Sequence, residues 1–139
     1  TPKPSSAASD VYKRQWLDSA VLDFPLLVKN ELGRLGYPEF FAGPAVMVGG
    51  WLVGVELDAR SPMEAAKNAG DRPVFLTHGI EDPRVSIVHS ENFEEIMKIE
   101  GGNVSTWYVE DRGHVDSIWG ESEEYENKVV SFFKSALAQ

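Results

Sequence analysis

Asp82 and His114 are the two side chains of this sequence whose settings best suit chemistry. Asp82 lies in His78-Gly-Ile-Glu-Asp-Pro-Arg-Val and His114 in Asp111-Arg-Gly-His, and each stretch follows a short apolar run. A carboxylate can orient an imidazole and stabilise its cation while the imidazole moves a serine proton. The plain alternatives are an Asx-Pro turn at Asp82-Pro83 and a hydrogen-bonded loop histidine at His114. His78 is expected to pack beneath the loop that carries Asp82. His89 is expected at a surface or helix N-terminal position. Asp111 and Asp116 are expected to be solvated or capping, with tuning of His114 as the alternative. His78, Asp82, His114 and Asp116 could in principle hold zinc or manganese. The chain has no H-x-x-x-H or H-E-x-x-H and no cysteine, so no metal site is expected.

The elements that must position these groups are clearest in the second half. Arg72-Pro-Val-Phe-Leu-Thr-His-Gly holds an apolar run that stops at Gly79, which suits a buried strand of a parallel sheet. Phe93, Ile96 and Met97 fall at helical spacing over residues 90–100, and Gly101-Gly-Asn ends that helix. Val104-Ser-Thr-Trp-Tyr-Val predicts a second strand. Tyr125, Val129, Phe132, Phe133 and Leu137 predict an amphipathic helix over residues 121–138. Strand, loop, helix, strand, loop, helix is the alternation of a parallel α/β sheet. Ligands of such sheets bind at the carboxyl ends of the strands, so Asp82 and His114 should emerge on one edge.

Residues 16–60 read as helical with breaks. Phe24, Leu27, Val28 and Leu32 share one face, Pro25 suits a first turn, and Gly33 and Gly36 mark an end. Residues 40–55 are apolar all round, which fits one or two buried helices or an apolar cap over a site. Ser61, Pro62 and Glu64 predict an N-cap, first residue and capping-box partner of a short helix. Trp51, Trp107 and Trp119 are expected in the core.

Composition narrows the functions. The 139 residues carry a formal net charge of −9, which argues against nucleic acid and anionic lipid as main partners. Apolar residues make up 42%, enough for a core. The longest apolar stretch is interrupted by glycines and Pro44 and is short for a membrane span.

The stretches RPVFLTHGIEDPRVSIVHSENF, WYVEDRGHVDSIW and EEYENKVVSFF resemble the last two strands, the acid and histidine loops and the terminal helix of an α/β-hydrolase. The closest likeness is to serine hydrolases of the prolyl-oligopeptidase and dienelactone-hydrolase type. The resemblance implies the C-terminal portion of that fold, with parallel strands alternating with helices and a helical lid-like insertion. It implies Asp82 as triad acid, His114 as triad base and no cofactor. It also implies a nucleophile before the acid in chain order, yet the sequence contains no G-x-S-x-G. The expected function is therefore a fragment of a serine hydrolase of ester or peptide bonds, inactive by itself. The alternative is a non-catalytic binding or partner module.

Back-translated, residues 5–15 resemble a sequencing adapter, so residues 1–15 are expected to be an artefactual or disordered tail. Residues 16–70 are then a helical, lid-like segment and residues 71–139 the βαβα portion. A chain lacking part of its sheet is expected to self-associate through an exposed edge at residues 74–77. Compartment stays open.

Overall fold

The computed structural model describes residues 14–55 and 62–138. Strand β1 (Gln15–Asp18) is followed by helices α1 (Phe24–Arg34), α2 (Ala42–Val53) and α3 (Pro62–Lys67). Strand β2 (Val74–Gly79), helix α4 (Val88–Ile99), strand β3 (Val104–Val109), the short helix α5 (Ser117–Gly120) and helix α6 (Ser122–Leu137) complete the order. The sheet runs β1-β2-β3 with both pairs parallel, in a register that sets Gln15 beside Val74 and Gly79 beside Val109. All three strands therefore end on one side.

Helices cover both faces, which is why β2 reads as a nearly unbroken apolar run. On one face Val74 and Leu76 pack with Phe93 and Met97 of α4, Met63 and Ala66 of α3, and Leu22. On the other, Trp16 stacks on Phe75 with centroids 4.1 Å apart, and Phe132 of α6 meets both rings edge-on. Such aromatic pairs add about 0.5–1.5 kcal/mol each beyond the area they bury. α4 binds back to β3, where Tyr108 donates to Glu94 at 2.7 Å.

The N-terminal segment departs from the sequence reading. Residues 15–18 are strand rather than helix, and Gln15, assigned to the tail, donates its N–H to the Pro73 carbonyl at 3.1 Å. The reason is tertiary: Trp16 has an aromatic face to stack on and Leu17 packs against the core, which overrides a weak helical signal. β2 consequently has a neighbour on each side, and the unpaired edges among the described strands belong to β1 and β3, not to residues 74–77. Arg14, also assigned to the tail, donates to the Ala136 carbonyl of α6, while residues 1–13 and Ser61 lie outside the described residues.

α1 starts where expected. The Asp23 side chain accepts from the Leu26 N–H at 2.9 Å and Pro25 occupies the first turn, an N-cap worth about 1 kcal/mol. α2 stops at Gly54, whose φ of 71° is the left-handed conformation that only glycine adopts without strain. α2 is exposed, not buried. Phe40, Met47, Trp51 and Leu52 are each more than two-thirds open to solvent. Trp51 and Trp119, expected in the core, are 79% and 80% exposed. Among the described residues no helix is long and apolar enough to cross a membrane.

Candidate active site

β2 delivers Asp82 through a tight turn. The Asp82 N–H donates to the Gly79 carbonyl at 3.2 Å, and its carboxylate Oδ1 accepts the Arg84 and Val85 amides at 2.8 and 2.9 Å. Pro83, with no N–H of its own, separates Asp82 from those two amides. The other oxygen, Oδ2, accepts from His114 Nδ1 at 2.8 Å. The Asp82 side chain is fully shielded from solvent while that of His114 stays 32% exposed. Burial pushes the Asp82 carboxyl up, but the Val85 and Arg84 amides and His114 together hold it below the usual carboxylate range. A carboxylate can only accept, so His114 carries a proton on Nδ1 and its Nε2 is the nitrogen not engaged by Asp82.

The two loops meet because β2 ends in glycine. A Cβ at Gly79 would lie 2.3 Å from the Arg112 carbonyl oxygen and 2.4 Å from that of Gly113. No other residue permits this approach. Two cross-loop bonds follow from it: Ile80 N–H to the Val109 carbonyl at 2.9 Å and Glu81 N–H to the Arg112 carbonyl at 3.0 Å. The histidine loop is also strained. Val115, β-branched, has φ 55°, and Asp111 has φ 54°, conformations that cost non-glycine residues about 1–2 kcal/mol each. The Val115 N–H donates to Ser19 Oγ at 3.1 Å, which ties the loop to the end of β1. Arg112 pairs with Glu121 at 2.7 Å and ties it to the start of α6.

The structure thus brings Asp82 and His114 into direct contact. His78 is fully buried beneath the acid loop, 3.4 Å from Asp82 Oδ2. His89 does lie in the first turn of α4, but it is fully buried rather than at the surface, and its Nδ1 accepts the Asp23 N–H at 3.1 Å. Burial lowers its pKa. Asp111 and Asp116 are exposed. Among the described residues no group of three or more His, Cys, Asp and Glu is arranged to hold a metal.

Sequence reasoning missed Asp18 and Ser19, because the strand that carries them was read as helix. Asp18 ends β1 with Oδ2 accepting from Tyr125 at 3.0 Å and Oδ1 buried without a partner. Burial raises its carboxyl, outweighing the Tyr125 hydroxyl, the neighbouring Ser19 and the fields of His78 and His114. Next to Asp82 opens a cleft of about 280 Å³, lined by Asn30, Glu31 and Arg34 of α1 and by Ile80, Arg84 and Ile87 around the acid loop. A larger depression of about 670 Å³ runs along residues 120–131, away from Asp82 and His114.

A buried carboxylate, kept ionised and holding one imidazole nitrogen, leaves the other nitrogen able to take a proton from a nearby hydroxyl. Residues 47–139 match the prolyl oligopeptidase family. The fold resembles an esterase of Pyrococcus furiosus, with TM-score 0.62 and 22% identity over 88% of this chain and 44% of that one. It also resembles an acylaminoacyl peptidase of Pyrococcus horikoshii, with TM-score 0.51 and 20% identity over 81% of this chain and 18% of that one. The chain therefore spans less than half the length of either. No curated protein sequence matches it.

Proposed function

This chain belongs to the prolyl oligopeptidase family and folds as part of an α/β-hydrolase domain, and on that premise we propose that it is the acid-and-histidine portion of a serine hydrolase. Asp82 holds His114, and His114 Nε2 takes the proton of a serine as that serine attacks an ester or peptide carbonyl. The proton then passes to the leaving group, and water repeats the cycle to release the acid. The observation that supports this most is the 2.8 Å bond from His114 Nδ1 to a carboxylate fixed by two backbone amides.

The serine itself belongs to a portion of the protein outside these 139 residues, since none of the serines present stands between the two glycines of a nucleophile elbow. The chain alone therefore hydrolyses nothing. α1 lines the cleft beside Asp82 as part of a lid, and the exposed apolar surface of α2, with the free sheet edges, makes the isolated chain associate with itself. Assays on p-nitrophenyl esters and aminoacyl anilides test this. The chain as it stands should give no turnover, and a form extended upstream through its own reading frame should be active. An inactive extended form would favour the binding-module reading. Turnover by the unextended chain would contradict the proposal outright.

A further inference from the structure

We infer that His78, which the relay does not itself use, is the positioning residue that keeps Asp82 aimed at His114. The inference rests on reading Asp82 and His114 as the relay. His78 is completely buried near the end of β2. Its Nε2 lies 2.8 Å from the Val85 carbonyl oxygen, which can only accept, so Nε2 carries the hydrogen. Nδ1 shares a hydrogen with the hydroxyl of Ser90, 2.7 Å away in α4 and equally buried. Val85 is also the residue whose N–H binds Asp82 Oδ1 at 2.9 Å. One residue of the loop thus gives its N–H to the carboxylate and its carbonyl to His78. The same Nε2 stands 3.4 Å from Oδ2, the oxygen that receives His114.

A helix-borne hydroxyl, a strand-borne imidazole and a loop carbonyl form one line that ends at the carboxylate. Loops are ordinarily the mobile part of a fold. This one is pinned from inside at Val85, whose own N–H holds the Asp82 carboxylate, and a relay needs its members held within about 0.5 Å of working geometry. An apolar residue at position 78 would fill the space but leave the Val85 carbonyl and the Ser90 hydroxyl buried without partners. His89 provides the contrast. It is just as buried and adjoins Ser90, but it binds the start of α1 rather than the acid loop.

The test is proton NMR of the full chain, following the low-field His114 Nδ1–H that bonds to Asp82. The wild-type chain should show a slowly exchanging resonance. His78→Leu should lose it or speed its exchange at least tenfold. His78→Gln, which restores a donor to the Val85 carbonyl, should recover it. Ser90→Ala, a milder change that keeps the fold, should speed exchange several-fold. His89→Gln should lower the melting temperature and leave the resonance in place. Wild-type exchange in His78→Leu or in Ser90→Ala would overturn the inference. So would loss of the signal in His89→Gln, which would make the effect general loosening, or its absence from the wild-type chain. The resonance reports the bond between Asp82 and His114 whether or not an extended form hydrolyses anything, so failure of the hydrolase reading stays separable.

Discussion

Two carboxyl groups stand at the carboxyl ends of adjacent parallel strands, Asp18 closing β1 and Asp82 in the turn after β2, and their surroundings drive them in opposite directions. Asp82 receives two backbone amides and one imidazole, and those bonds outweigh the cost of burial and keep it ionised. Asp18 receives one tyrosine hydroxyl, keeps one oxygen buried and unpartnered, and is pushed upward. Both feel the field of His114. Burial alone therefore does not keep a carboxyl ionised. A turn that aims amide donors at the carboxylate does, because a charge removed from water must find its hydrogen bonds elsewhere. Tyr125 shows the reciprocal effect, since burial and Asp18 push its hydroxyl up to about 12.

The comparison can be broken by removing either group. Asp82→Ala should have the largest effect, about 3–5 kcal/mol of lost stability, because it strands two amides and an imidazole proton in a shielded site. Chemical denaturation reads this directly. Gly79→Ala comes next, at about 1–3 kcal/mol, because its Cβ would meet backbone oxygen rather than a side chain that could move. Gly113→Ala, where the Cβ would find Pro83 at an ordinary 3.8 Å, should cost no more than about 0.5 kcal/mol.

The pH dependence of stability sharpens the contrast. The folded-state pKa of Asp82 is lowered, so its stabilisation is present above the unfolded value near 3.8 and is lost as pH falls through the lower folded value. The folded-state pKa of Asp18 is raised, so folding is favoured below its unfolded value and that advantage is lost as pH rises through the folded value. Asp18→Asn should therefore give a small gain in stability at pH 7 that disappears in acid. Asp82→Asn should give a loss at pH 7 that shrinks in acid. Denaturation curves from pH 3 to 7 separate the two, and parallel behaviour would remove the distinction. The smallest effect on stability, within about 0.5 kcal/mol, is expected from Trp51→Ser on the exposed face of α2. That change should reduce self-association in sedimentation.

The parts legible in the sequence were those whose signals are local. The apolar run ending at Gly79, the spacing of Phe93 and Met97, and Asp-Pro and Gly-His after successive strands each carry their meaning within a few residues. β1 was not legible, because four residues cannot show a period and their pairing with β2 spans more than fifty positions. Asp18 was hidden with it. The direct contact between the loops depends on a missing Cβ at Gly79, which the sequence shows as a strand stop but not as a point of approach. The exposure of Trp51 and Trp119 was illegible for another reason. Apolar residues report that burial is favourable, not that this chain supplies the covering surface.

The central claim is that Asp82 prepares His114 to activate a serine, and fluorophosphonate labelling of the upstream-extended chain tests it most directly. His114→Ala and Asp82→Asn should each slow serine labelling by about 10³-fold or more while the fold melts cooperatively. Labelling at the unaltered rate in either variant would remove that residue from the relay and contradict the account.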